Sequence, residues 1–262
     1  MKVCIVGGGV MGEAILGAAL ADGVLSPDAV TVVEKLPARR GQLASVYGVA
    51  VTETYDAMTS ADLVLLSVKP QEVSTVHGRL AASAVLVSIM AGATIASLQD
   101  AFDHRAVVRV MPNTPAAVKA GMSAWTATPE VTTEQRAFVA RLLGATGKEL
   151  YFEDEKKLDA VTAVSGSGPA YVFLFVEALV EGAVAAGLPR AAAEELVLQT
   201  VLGSAQYALQ SGKSAADLRA QVTSPAGTTA AGLLALENRA FRAALIECVK
   251  AAHQRAVELG KA

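Results

Sequence analysis

An α/β fold, a doubly wound parallel sheet followed by an all-helical region, is what this 262-residue sequence predicts. Three observations point to it. From Lys2 to Met111, apolar β-branched runs alternate with segments of helical period. The first run ends in Gly7-Gly8-Gly9-Val10-Met11-Gly12, a strand-to-helix glycine turn. Beyond Asp154 only helical periodicity remains.

The elements follow in order. Lys2 to Val6 reads as a strand and Glu13 to Asp22 as a helix. After the Ser26-Pro27-Asp28 turn, Ala29 to Val33 is a second strand ending at Glu34, which closes a βαβ unit of ~30 residues. Helix from Pro37 to Val46, a short strand at Val49 to Val51, helix from Thr54 and strand Ala61 to Val68 come next. A helix after Pro70, strand Ala84 to Ile89, helix Thr94 to Phe102 and strand Ala106 to Met111 complete the alternation. The strands are continuous apolar runs, as a parallel sheet covered on both faces requires. Between Pro115 and Glu153 the pattern assigns no element.

The second half carries apolar faces at Lys156 to Val164, Pro169 to Ala186, Arg190 to Gln210, Ala215 to Val222, Thr229 to Glu237 and Ala240 to Leu259. Pro169, Pro189 and Pro225 stand where helices begin, the first-turn preference of proline. The chain divides into residues 1–153, a Rossmann-type nucleotide domain, and residues 154–262, an all-helical domain. Several of these helices are apolar on more than one face, which predicts a homodimer interface.

Composition excludes other classes. With 22 basic and 25 acidic residues and a net charge of −3, there is no footprint for nucleic acid or an anionic membrane. The 2 cysteines, Cys4 and Cys248, form neither a disulfide scaffold nor a zinc cage and suit a reducing cytoplasm. The 3 histidines lack ligand spacing, so no metal is expected. The longest apolar stretch, Ala170 to Gly187, is broken by Glu177 and Glu181, so no membrane span is expected. Lys2 and the apolar run after it imitate a secretory leader, but four glycines and Glu13 interrupt it.

The chemistry sits at strand ends. Gly7, Gly9 and Gly12 fit the dinucleotide fingerprint, which sets phosphates on a helix N-terminus. Glu34 ends the second strand ~20 residues later, where an acid hydrogen-bonds the ribose 2′-hydroxyl and favours NAD(H). Lys35, Arg39 and Arg40 follow it and offer cations for the 2′-phosphate of NADP(H), so both cofactors stay open. Ser67-Val68-Lys69-Pro70-Gln71 and Arg109-Val110-Met111-Pro112-Asn113-Thr114-Pro115 end further strands, where ligands bind in open α/β sheets. Asn113 and Thr114 present hydrogen-bonding groups there. Ser165-Gly166-Ser167-Gly168 and Ser224-Pro225-Ala226-Gly227-Thr228-Thr229 each lead into a helix, as caps or as anion-holding loops.

In these motifs, taken in order along the whole chain, the sequence resembles the pyrroline-5-carboxylate reductases of proline biosynthesis. The resemblance implies a helical dimerisation domain, active sites completed across the dimer, and NAD(P)H-dependent reduction of 1-pyrroline-5-carboxylate to L-proline. By motif position, Val6, Gly7, Gly8, Gly9, Val10 and Met11 would cradle the pyrophosphate. Val68, Lys69 and Pro70, with Ile89, Met90 and Ala91, would line the cofactor. Ser224, Gly227, Thr228 and Thr229 would hold the substrate, with Thr229 bonding the imine nitrogen, and Glu155 falls where the family has a carboxylate near it. Three positions depart from the pattern. Ala226 replaces a common glycine, tolerable with a negative φ; Thr54 stands where an asparagine commonly faces the cofactor; Glu34 stands where NADP-using members usually carry small hydroxyl residues.

Two rivals share the fingerprint. A β-hydroxyacid dehydrogenase of the 6-phosphogluconate type needs a lysine acid or base in its helical domain, and Lys213, Lys250 and Lys261 lie in no glycine-rich site context. A non-catalytic NAD(P)H sensor has no need of the substrate loops.

Overall fold

The computed structural model describes residues 1–260; Lys261 and the final alanine, which end the 154–262 division, lie outside the described residues. Met1–Ser167 with the residues from Ala252 onward form one compact unit, and Gly168–Ala251 form a second.

The first unit is built on one sheet. Its strands are β1 (Val3–Val6), β2 (Val30–Val33), β3 (Ala50–Thr52), β4 (Leu63–Leu66), β5 (Val85–Ser88), β6 (Val107–Met111), β7 (Gly121–Ala127) and β8 (Gly147–Tyr151). They lie in the order β3-β2-β1-β4-β5-β6-β7-β8. Val3 of β1 is in register with Val30 on one side and Leu63 on the other, both parallel. The helices are α1 (Val10–Ala21), α2 (Pro37–Tyr47), α3 (Ile95–Phe102), α4 (Thr133–Gly144) and α5 (Lys157–Val161).

The apolar runs are continuous because both sheet faces are covered. Val3, Ile5, Leu63, Leu65, Val85 and Val87 point to a core with Ile15, Leu16, Leu142 and Leu143. Their neighbours Cys4, Val6, Val64, Leu66, Leu86 and Val107 point to the other face, with Met58 and Leu98. Each fully buried aliphatic side chain contributes ~1.5–3 kcal/mol, so the central strands anchor the unit. The N-terminal segment is the middle of this sheet.

The sheet departs from expectation in three places. Residues 116–153 hold β7, α4 and β8, and β7 runs antiparallel to β6, with Val108 opposite Ala127, so the sheet is not parallel throughout. The helices expected from Thr54 and after Pro70 are short 3-10 turns, Asp56–Ser60 and Pro70–Thr75. Local side-chain bonds compete with helix there: Thr54 Oγ1 donates to Asp56 Oδ2 at 2.9 Å, and Thr75 Oγ1 to the Glu72 carbonyl at 2.7 Å. The division placed at 153/154 marks where strands cease, yet compactness divides the chain after Ser167. Ion pairs from Arg109 to Glu155 and Asp159 tie α5 to β6.

The second unit holds α6 (Gly168–Ala185), α7 (Arg190–Ser211), α8 (Ala215–Gln221), α9 (Thr228–Asn238) and the first part of α10 (Phe241–Leu259). Its buried apolar cluster is small: Val180, Ala193 and Val197 with a few partly buried neighbours. Phe173, Leu174 and Leu209 stand 64%, 65% and 73% exposed, a surface that a lone chain rarely tolerates. The helical run Lys157–Ala185 is long and apolar enough, by length and composition alone, to cross a membrane. Glu177 and Glu181 stand four apart within it, on one helix face, and leave the rest apolar.

Candidate active site

The strand order reverses between β1 and β4, and ligands of open α/β sheets bind at such a switch point, outside the carboxyl ends of the strands. A cleft of about 390 Å³ lies there. Gly9, Val10 and Met11 after β1, Ser67, Val68 and Lys69 after β4, Ile89 after β5, and Met111, Pro112, Asn113 and Thr114 after β6 line it, with Gly166. Seven of the expected cofactor residues therefore line one cleft.

The glycine turn fits a pyrophosphate. Gly7 has φ +102° and lies so near the Ser67 carbonyl that a Cβ would sit 2.6 Å from its oxygen. A Cβ on Gly12 would meet the Gly7 carbonyl at 2.4 Å and Ser67 Oγ at 2.7 Å, so α1 starts hard against the turn. Around Gly9, by contrast, a Cβ would meet nothing within 4 Å. Gly9 is also the N-cap of α1 and supplies no side chain to the first-turn N–H groups, which leaves them and the positive end of the helix dipole for an anion. Val6 is buried and contributes backbone: its carbonyl accepts the Ser67 N–H at 2.8 Å.

Glu34 reaches back to this turn. Its Oε2 accepts the Gly8 N–H at 3.0 Å and its Oε1 the Leu36 N–H at 2.9 Å. Arg39 bonds the next peptide, donating Nε to the Gly8 carbonyl at 2.8 Å and pairing with Glu13 through Nη2. Arg40 donates to the Glu34 and Lys35 carbonyls and pairs with Glu53 at 2.9 Å. Lys35 Nζ donates to Thr75 Oγ1 at 2.9 Å. All three cations near the end of β2 have internal partners.

The far wall of the cleft is braced from beneath. Asn113 accepts the Met122 N–H on Oδ1 at 2.9 Å and donates Nδ2 to Ser165 Oγ at 3.2 Å, so it joins β7 to the turn that carries Gly166. That turn, Thr162–Gly166, is π-helical, a form that gathers at functional sites. Arg109, with 6% of its side chain exposed, pairs with Glu155 at 2.9 Å and with Asp159 at 3.1 Å. Glu155 Oε1 also accepts the Ile95 N–H at 2.8 Å, one of the unpaired donors opening α3. Arg109 belongs to a motif that the sequence singles out, but nothing in the sequence pairs it with Glu155.

Other expected residues stand apart from the cleft wall. Thr54 is bonded to Asp56 just beyond β3, Pro70 is exposed at the start of its 3-10 turn, and Ala91 is exposed after β5. Met90 is buried, 3% exposed, in the core beneath the sheet, so only its backbone can face a ligand.

In the second unit, Ser224 to Gly227 form a tight turn, with the Gly227 N–H donating to the Ser224 carbonyl at 3.1 Å. Pro225 takes the second position and Ala226 the third, with φ +57°. The condition of a negative φ at Ala226 is thus not met: this turn type demands a left-handed third residue, and alanine carries it with strain. Gly227 caps α9 without a side chain, so the first-turn amides at Thr228 and Thr229 keep their capacity for an acceptor.

Comparison with known proteins gives these features a lineage. A family model described as pyrroline-5-carboxylate reductase dimerisation matches residues 155–259, and one described as NADP oxidoreductase, coenzyme F420-dependent, matches residues 2–92. A pyrroline-5-carboxylate reductase of Synechocystis is 45% identical over 100% of this chain and 99% of its own length. The structure of one from Coxiella burnetii superposes with a TM-score of 0.90 at 32% identity, covering 100% of this chain and 99% of that one. One from Plasmodium falciparum, with NADP bound, does so with a TM-score of 0.87 at 27% identity, covering 99% and 98%. The chain belongs to the pyrroline-5-carboxylate reductase family.

Proposed function

We propose that the protein reduces 1-pyrroline-5-carboxylate to L-proline with NADH or NADPH, the last step of proline biosynthesis. The observation that carries this reading is the match to reductases of that name along the whole chain, with a cleft beside the glycine turn at the ends of the strands. The reduced nicotinamide supplies a hydride to carbon 5 of the cyclic imine, and one proton is taken up as the nitrogen becomes an amine. The imine carbon is already electrophilic, so the protein's task is chiefly orientation. Holding donor and acceptor ~3–3.5 Å apart can itself contribute ~7–11 kcal/mol.

This chain's residues divide that task. Gly9, Val10 and Met11 take the pyrophosphate on the start of α1. Val68, Lys69, Ile89 and Asn113 set the wall along which the nicotinamide end lies. In the loop before α9, Ser224, the Gly227 amide and Thr228 hold the substrate carboxylate, a use of helix N-terminal donors that needs no arginine. The Thr229 hydroxyl hydrogen-bonds the ring nitrogen. Glu155, which the family pattern sets near the substrate, is read as a brace, because its Oε1 is taken by Arg109 and Ile95.

The protein is a homo-oligomer, and the dimer forms through residues 155–259, which covers the exposed Phe173, Leu174 and Leu209. Cys4 and Cys248, both free thiols, fit a reducing cytoplasm, where we place the reaction. Replacement Thr229→Ala tests the substrate loop. Losing one positioned hydrogen bond should lower kcat/KM by ~10–100-fold with dinucleotide binding unchanged. Full retained kcat/KM would remove Thr229 from the mechanism.

A further inference from the structure

We infer that this chain selects NADH over NADPH, and that Glu34 is the residue that makes the choice. The inference rests on the proposed dinucleotide site and goes beyond it, since relatives of this family include one with NADP bound. The placement of Glu34 at the end of β2 is where the adenosine ribose is read in sheets of this order.

Two features carry the inference. The first is that the carboxylate is fixed by backbone. One oxygen accepts the Gly8 N–H and the other the Leu36 N–H, so swinging aside gives up two backbone hydrogen bonds, the one to Gly8 part-buried. A carboxylate has about four acceptor sites, and two remain for ribose hydroxyls. A 2′-phosphate brought to the same place would meet a fixed negative charge, a repulsive element of the kind that specificity requires.

The second feature is that, among the described residues, the cations beside Glu34 are already engaged, the two arginines by carbonyls and carboxylates and Lys35 by a hydroxyl. An enzyme that takes a 2′-phosphate needs an arginine or lysine to receive it. Here Arg39 is held by the Gly8 carbonyl, Gln42 and Glu13; Arg40 by two carbonyls and Glu53; and Lys35 by Thr75. Moving Arg39 to a phosphate would release the Gly8 carbonyl, which is part of the pyrophosphate turn itself. Arg39 is therefore held to the turn and away from the ribose.

The test is direct binding, without the imine substrate. NADH and NADPH are titrated separately into the full-length protein, following nucleotide fluorescence or heat, for the native chain, Glu34→Ser and Glu34→Gln. Native protein should bind NADH at least roughly tenfold more tightly than NADPH, with the ratio shrinking as salt screens the repulsion. Glu34→Ser should weaken NADH and narrow or reverse the ratio. Glu34→Gln, whose single amide oxygen can accept only one of the two N–H groups, should narrow it by removing the charge while weakening NADH less than Glu34→Ser does. Equal or tighter NADPH binding by the native chain overturns the inference, as does a ratio unmoved in both variants. Failure to bind either nucleotide overturns the dinucleotide reading as well, whereas tight NADH binding with no imine reduction overturns only the proposed reaction.

Discussion

Glu155 offers a way to separate a brace from a substrate ligand. In Glu155→Gln the amide oxygen can still accept the Ile95 N–H, but the charge facing Arg109 is gone. A hydrogen bond to a charged partner contributes ~1.5–3 kcal/mol against ~0.5–1.5 for a neutral one, so the exchange costs ~1 kcal/mol. The glutamate is 31% exposed, which keeps the figure at the low end. Loss of the anion at the start of α3 adds ~0.3–1 kcal/mol. The sum of about 1–2 kcal/mol should lower Tm by ~2–8 °C for a unit of this size. Arg109→Met should be worse, ~3–5 kcal/mol, because it leaves Glu155 and Asp159 facing one another without a cation. Thermal unfolding by intrinsic fluorescence, run beside initial rates, reads both effects. An unchanged Tm with a raised KM for the imine would refute the brace and make Glu155 a substrate contact.

Three further outcomes follow from the geometry. Gly12→Ala drives a methyl into the Gly7 carbonyl and Ser67, and should abolish measurable nucleotide binding while costing ~1–3 kcal/mol in urea unfolding. Ala226→Gly removes left-handed strain of ~1–2 kcal/mol but frees the unfolded chain by ~0.4–1 kcal/mol, so stability should rise slightly or hold, whereas Ala226→Val should fall clearly in the same melt. Burial pushes the Cys4 thiol up from 9.0 to about 12. Because its native form holds the proton more tightly than the unfolded chain does, its contribution is complete below pH 9 and is lost as pH rises toward 12. A thiol reagent at pH 8 should accordingly leave Cys4 unmodified until the protein is unfolded; rapid labelling of Cys4 in the folded protein would contradict this burial.

The central strands could be read from the sequence because burial on both faces writes an unbroken apolar run, as in Leu63-Val64-Leu65-Leu66. β7 and β8 could not. Gly121-Met122-Ser123-Ala124-Trp125-Thr126-Ala127 mixes small and hydroxyl residues with Met122 and Trp125 and has no unbroken aliphatic run, and Gly147-Lys148-Glu149-Leu150-Tyr151 is a largely exposed edge. The glycine turn and Glu34 were legible because their spacing is set by the length of one βαβ unit. The Arg109 to Glu155 pair was not, since it joins positions 46 apart that only the folded sheet brings together. The left-handed Ala226 carried a signal in its preceding proline, as a proline in the second position of such a turn often asks for positive φ in the third. The 3-10 turns show hydroxyl and acidic side chains overriding a helical period that would otherwise continue.

The most direct test follows the loss of reduced nicotinamide absorbance when purified protein meets 1-pyrroline-5-carboxylate, with NADH and NADPH in separate reactions and proline quantified at the end. The account predicts substrate-dependent oxidation matched one for one by proline, faster with NADH at low cofactor concentration. Inactivity with both cofactors, in protein that is folded and binds a dinucleotide, would contradict it.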